Sequence, residues 1–317
     1  MRIKASAFDL IEKSHLMQSA STSLRAPASA YVVILLGILA VSLAAIFIRL
    51  AQAEGIPSLL IATSRMVIAS LILTPFVLGK HRSEITRLQS HQLGWALVSG
   101  LFLAIHFASW IKSFEYTSVL VGVVLVTTSP LWAAILERIF LNSPLNRWVG
   151  LGLIIGIAGS VIVAIPANGI RMEANLGSIL ALIGAVAVAV YYVLGRKLRA
   201  HLSLLVYIWL VYGFAAIFLL IVSIATGIPV TGYSLNGYLW LIAIAIIPQI
   251  IGHSSFNYAL KYFPASYVGV AGQLEPVLSS VIALFLFNEY PLPVQIIGSG
   301  VILVGVIIAS LGQNRTA

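Results

Sequence analysis

Ten long apolar runs, at about residues 31–51, 58–79, 92–113, 118–140, 147–165, 176–195, 203–226, 236–259, 264–287 and 292–312, alternate with short polar connections. Each is near the ~20 residues an α-helix needs to cross the hydrocarbon core of a bilayer. None shows the in–out alternation of a barrel strand. A span surrounded by lipid must also satisfy its own backbone hydrogen bonds, so the pattern predicts helices. Composition removes the alternatives. Sixty per cent of the 317 residues are hydrophobic, 9% are charged, and mean hydropathy is +1.06. A soluble domain carries about 25% charged residues, and disordered, collagen-like or disulfide-stapled chains look different again. With no cysteine there is no disulfide, thiolate metal site or cysteine nucleophile. The expectation is an all-α membrane protein of ten transmembrane helices, with no metal and no cofactor.

Charge orients the helices. Eighteen Lys and Arg face nine Asp and Glu, giving +9. In a soluble protein that excess would suggest nucleic acid; here nucleic acid is not expected, because the cations fall in the connections. Fourteen lie on the side of the N-terminus, including Lys80, Arg82, Arg87, Arg138, Arg147, Arg196, Lys197 and Arg199. Only Lys112 and Arg171 lie opposite, while Arg49 and Arg65 sit within spans. This positive-inside bias places both termini in the cytoplasm, which an even number of spans also requires. Residues 1–30 read as a cytoplasmic tail rather than a secretory signal, since no apolar core precedes Ala30. Ala28-Ser29-Ala30 resembles a cleavage site but comes before the first apolar run.

The chain also repeats itself. Setting residue n beside n+146 aligns Val124 with Val270, Pro130 with Pro276, Asn142 with Asn288, Gly152 with Gly298 and Gly159 with Gly305. The coinciding residues are largely those that shape backbones. Five spans separate the copies, an odd number, so the copies cross the bilayer in opposite senses. Two inverted five-helix repeats are thus expected at 31–165 and 176–312, with an external loop at 166–175 and a cytoplasmic tail at 313–317. This is the plan of secondary transporters, whose substrate site lies near the midplane where the halves meet.

These motifs resemble the drug/metabolite transporter superfamily, in its EamA-type ten-helix branch, over about residues 31–312. The resemblance rests on Tyr116-Thr117-Ser118 through Ser129-Pro130, and on its second copy from Ala259-Leu260-Lys261-Tyr262 to Leu274-Glu275-Pro276. Phe287-Asn288-Glu289, the Gly298/Gly300/Gly305 helix, Arg65 and the Gln249-Ile250-Ile251-Gly252-His253 stretch add to it. It implies transport of small metabolites, amino acids or drugs across the inner or plasma membrane, with efflux as the leading direction. Ser143 departs from the pattern, standing where the first repeat often has an acid. No acid lies in residues 31–51, so the coupling scheme of the four-helix members does not carry over.

Pro130 and Pro276 mark matched helix breaks, and Thr127, Thr128, Gln273 and Glu275 beside them are expected to line a cavity. Glu275 is the acid near the centre of a span, where a charge costs about 2.5–3.5 kcal/mol on insertion scales. Three roles stay open for it: binding a cationic substrate, exchanging a proton, or pairing with Arg65. Arg65 would otherwise clamp a substrate carboxylate through its forked donors. His106 and His253 occupy equivalent spans and are candidate proton relays, or neutral histidines bonded to a helix carbonyl. Trp110, Asn257 and Tyr258 lie near them and complete the expected substrate site. Trp95, Trp148 and Trp240 read as interfacial anchors, and Glu137-Arg138, Lys112/Glu115, Arg49/Glu54 and Glu289 as charges reaching the headgroups from helix ends. Gly152xxxGly156 and Gly305xxxAla309 are close-packing faces, within the chain or in a homodimer.

The expected partners are a small-molecule substrate and the lipid bilayer, with proton or ion coupling left open. Two other classes stand beside the carrier. A passive channel or facilitator fits the same scaffold. An intramembrane serine hydrolase is suggested by Gly252-His253-Ser254-Ser255, but a serine nucleophile needs a base beside it and His253 points about 100° away on a helix. The expectation is therefore not an enzyme.

Overall fold

The computed structural model describes residues 26–117, 119–142, 146–163, 173–287 and 292–314. Among these the chain is helical throughout, an all-α membrane protein. Eight helices are long and apolar enough to cross a membrane, and two shorter apolar ones, Arg147–Ile162 and Ile296–Ala309, occupy the positions expected for the fifth and tenth spans. The outer faces of the helices carry large apolar side chains, among them Ile154 at 67%, Ile224 at 77% and Phe285 at 79% exposure, as a membrane-embedded surface requires.

The first apolar segment is α1 (Ala28–Val41) and α2 (Ala44–Ala53); the second is α3 (Ser58–Lys80). A short surface helix, α4 (Arg82–Thr86), leads to the third, α5 (Ser90–Ser113). The fourth is α6 (Val119–Val126) and α7 (Ser129–Phe140), the fifth α8 (Arg147–Val163), the sixth α9 (Glu173–Arg199) and the seventh α10 (Leu204–Ala225). The eighth runs from α11 (Leu235–Ile244) through a π-helical stretch, Ala245–His253, into α12 (Ser254–Ala259). The ninth is α13 (Ala265–Gly272) and α14 (Glu275–Phe287), and the tenth α15 (Pro293–Asn314). The side on which α1 begins is called the near side below. Asn142, the tail before Ala26, Ser118, Ser143 and 288–291 bear on the repeat and family motifs; of these only Asn142 lies within the described residues, where it takes the left-handed conformation at φ 48°.

Packing follows a rule. The fifth segment packs along the tenth, the second along the seventh, the fourth on the ninth, the third along the sixth and the first along the eighth. Exchanging segment n with n+5 leaves that set of pairs unchanged. The tightest approach is between α8 and α15. A Cβ on Gly152 would collide with the Gly305 carbonyl and with Ala309 at 2.7 Å, and one on Gly159 with the Ile302 amide at 2.7 Å. The glycine faces read from the sequence are therefore spent inside the chain, on each other.

Four segments are interrupted in mid-course. In the fourth and ninth, the chain turns at Thr127–Thr128 and at Gln273–Leu274, then restarts with Pro130 and Pro276 as second residues of α7 and α14. A proline in a first turn sacrifices no hydrogen bond, because that N–H has no intrahelical partner in any case. The carbonyls left over in the fourth are taken by threonine hydroxyls: Thr127 Oγ1 donates to Val124 at 2.9 Å and Thr128 Oγ1 to Leu125 at 2.7 Å. The first segment breaks at Ser42–Leu43 without proline or glycine. Ser42 Oγ donates to the Ile38 carbonyl at 2.7 Å, a back-bond that bends helices. The Ser42 carbonyl then accepts from Ser279 Oγ of α14 at 2.9 Å. In the eighth, Pro248 lies inside the π-helical stretch.

Candidate functional site

The interruptions converge on a small cavity of about 50 Å³ among the helices. It has room for a few waters and is well short of the ~300–1,000 Å³ of ligand pockets. Val41 and Ala44 flank it from the first segment, Val126, Thr127 and Ser129 from the fourth, and Gly269, Gly272 and Glu275 from the ninth. His106 and Trp110 of α5, Val188 and Tyr192 of α9, and His253 and Phe256 complete the wall.

Both prolines are buried, as the expected breaks require. Pro130 packs on Gly269, where a Cβ would lie 2.9 Å from the proline ring. Five of the ten residues expected to line a cavity do so: His106, Trp110, Thr127, His253 and Glu275. Thr128 lies about 100° round the turn from Thr127 and does not line it. Gln273 is fully buried at the break, pressed against Gly156 of α8. Asn257 faces the other way, donating to Tyr191 Oη at 2.5 Å and Tyr212 Oη at 3.3 Å. Tyr258 is half-buried and packs at a tilt against Tyr262, ring centroids 5.3 Å apart, outside the cavity.

Arg65 is wholly buried but does not line the cavity. Its Nε donates to Gln249 Oε1 at 2.5 Å, and its guanidinium lies 3.9 Å over the Phe107 ring. Among the described residues, the ion pairs within 4 Å are His81–Glu84, Lys112–Glu115 and Arg196–Glu137, so Arg65 and Glu275 form none. Glu275 opens α14, where the free N–H groups of the first turn favour negative charge.

His106 Nδ1 lies 2.9 Å from the Gly184 carbonyl. A carbonyl only accepts, so Nδ1 carries the hydrogen and Nε2 of the neutral ring is an acceptor. Trp110 stacks on His106, and His253 lies 6.2 Å from it by centroids. Thr127 spends its hydrogen on Val124, which leaves its oxygen an acceptor as well. The polar atoms so fixed on the wall are the Glu275 carboxyl, an imidazole nitrogen and a hydroxyl oxygen, set among the aromatic faces of Trp110, Tyr192 and Phe256.

Three features escaped the sequence reading. Tyr192 and Phe256 belong to the wall, and a pair of adjacent tyrosines, Tyr191-Tyr192, inside an apolar span was the available signal. Gln249, held at the π-helical stretch, accepts from Arg65 Nε, while Nη1 and Nη2 of the arginine have no hydrogen-bond partner among the described residues; Pro248 beside it marked the irregular backbone. Glu137 is the correction. Instead of reaching the headgroups it is 3% exposed, paired with Arg196 at 2.6 Å. It also accepts from Ala265 N at 2.8 Å, Ser266 N at 3.1 Å and Ser266 Oγ at 2.8 Å. One carboxylate on α7 thus caps α13 and holds α9 at the near side.

Sequence relatives agree with this architecture. The chain is 26% identical over 258 residues to an uncharacterized transporter of Clostridium kluyveri, covering 79% of this chain and 82% of that one. It is 27% identical to an S-adenosylmethionine uptake transporter of Rickettsia bellii, over 73% and 76% of the two chains. It is 29% identical to a riboflavin transporter of Vibrio cholerae, over 46% and 48%. A solved crystal structure of a protein 20% identical superposes with a TM-score of 0.74, covering 92% of this chain and 99% of that one, which shows the fold. The model of the EamA-like transporter family matches twice, over residues 28–165 and again over 175–311. The chain is an integral membrane protein belonging to the EamA-like transporter family.

Proposed function

We propose that this transporter is a secondary carrier working by alternating access, with ten spans in two inverted halves, both termini in the cytoplasm, and the central cavity as its substrate site in the inner or plasma membrane. The observation that carries the reading is the meeting of two matched helix breaks, Thr127–Thr128 and Gln273–Leu274, at a cavity bearing the carboxyl of Glu275. Irregular backbone at membrane depth is stable only against protein or a wet cavity. The packing pattern supports the inverted halves, since it survives exchange of segments n and n+5.

The wall supports a substrate class. His106 and Thr127 offer acceptors, Glu275 a carboxyl, and Ser129, Tyr192 and His253 groups that can donate or accept, among aromatic faces. Such a wall suits a small amino-acid-like or drug-like solute with a cationic, donor-rich group, held by Glu275 and by cation–π contact. Arg65 is engaged with Gln249 and Phe107, and its place here is to fix the third and eighth segments around the cavity. Export is the direction the resemblance implies. At about 50 Å³ the cavity is too small for such a solute, so the halves must part to load it. That favours a carrier over a standing channel.

The test is flux into proteoliposomes across a panel of labelled amino acids and organic cations, with and without a proton gradient. A carrier gives saturable uptake, accelerated when substrate is loaded on the far side. Glu275→Gln should abolish uptake of cationic substrates while the purified protein keeps its thermal stability. Unsaturable flux without acceleration would instead establish a channel, and full activity of Glu275→Gln would remove the site.

A further inference from the structure

On the membrane-facing perimeter, between α5, α7 and α9, lies a groove of about 340 Å³, several times the central cavity. Its walls are helix stripes. Val190, Leu194 and Lys197 follow one another along α9, Trp95 and Phe102 lie on α5, and Phe140 on α7. Lys197 and Trp95 stand near the ends of their helices and Val190 and Phe102 deeper, so the groove descends about 10 Å from the near-side surface at 1.5 Å per residue. That depth is most of one leaflet's hydrocarbon, about 15 Å. Phe140 is 70% exposed and Trp95 38%, and the surrounding surface is equally apolar.

The mouth carries a charge. Lys197 Nζ sits 4.4 Å from the centroid of the Trp95 ring, and it forms no ion pair among the described residues. The acid nearest along the neighbouring wall, Glu137, is already committed to Arg196, Ala265 and Ser266. The ammonium thus rests on an aromatic face with no carboxylate partner among the described residues, at the end of an apolar trough on the side that carries the basic excess of the chain. A zwitterionic lipid would fill the trough but bring its own cation beside its phosphate, whereas a lipid of net negative charge leaves its phosphate to the lysine.

We propose that this groove is a binding site for an anionic phospholipid, an acyl chain lying along the α9 stripe and the phosphate on Lys197. It is separate from the transport site. On α9 the cavity is lined by Val188 and Tyr192 and the groove by Val190, Leu194 and Lys197, and the two sets share no residue.

Native mass spectrometry of the purified full-length chain, offered equal amounts of phosphatidylglycerol and phosphatidylcholine with identical acyl chains, tests this. The wild type should retain phosphatidylglycerol about fivefold more, the preference expected of one ammonium at a lipid phosphate. Lys197→Ala should bring the two lipids level and Lys197→Arg should keep the preference, which separates loss of charge from loss of folding. Leu194→Trp, filling the groove, should lower retention of both. Equal retention by the wild type, an undiminished preference in Lys197→Ala, or displacement of the lipid by millimolar inorganic phosphate would each overturn the assignment.

Discussion

Removing the carboxylate of Glu137 is the perturbation whose consequence is most fully determined. Four polar contacts end on it, from Arg196, the amides of Ala265 and Ser266, and the Ser266 hydroxyl. Breaking a buried ion pair by deleting one partner costs about 3–5 kcal/mol when the other is stranded. Arg196 is 31% exposed and can turn to water, so that share is reduced. The two α13 amides have no such escape, and losing a helix cap costs about 0.5–2 kcal/mol. A total of about 3 kcal/mol is expected for Glu137→Ala. At about 2–4 °C per kcal/mol, the apparent Tm in detergent should fall by about 6–12 °C. Glu137→Gln keeps the shape and one acceptor, and should lose about half as much. Because the carboxylate joins α7, α9 and α13 at the near side, both variants should also speed labelling of a cysteine at Val126 from that side. A Tm within about 1 °C of wild type for Glu137→Ala would refute the reasoning, since it would mean that none of the four contacts carries weight.

Two further outcomes follow from the packing and the charge pattern. Gly152→Ala forces a methyl into the Gly305 carbonyl and Ala309 across backbones that cannot separate cheaply; overpacking of this kind costs about 1–3 kcal/mol, measurable as lower Tm and yield. A tag between Ala167 and Asn175 should be accessible from outside intact cells and one beside Arg199 should not; the reverse would invert the topology.

Much of this fold was written in local signals. Apolar runs gave the helices, and Pro130 and Pro276 gave breaks whose positions the structure places within three residues. The break at Ser42–Leu43 lacked such a marker, because a lone serine in an apolar run does not show in sequence that its hydroxyl will back-bond to the carbonyl four residues earlier. Site residues divided by helix phase. His253 and Phe256 share a face, whereas Tyr258 stands five residues from His253, about 140° away, and Asn257 turns to the tyrosines of α9 and α10. Glu137 could not be placed from sequence at all. Its partners Ala265 and Ser266 lie 128 and 129 residues along the chain, and nothing near it in sequence distinguishes a buried cap from a charge at a helix end. Arg65 and Glu275 invited pairing by charge alone; the structure shows no ion pair between them and gives Arg65 Nε the Gln249 oxygen of the π-helical stretch.

The central claim is that the cavity opens in turn to either side of the membrane. The chain has no cysteine, so a single cysteine at Val126, on the cavity wall, can be labelled in vesicles of known orientation with a membrane-impermeant maleimide. Alternating access predicts labelling from both sides, slowed from both by a transported substrate. Labelling from one side only, or from neither in a protein that still transports, would contradict it.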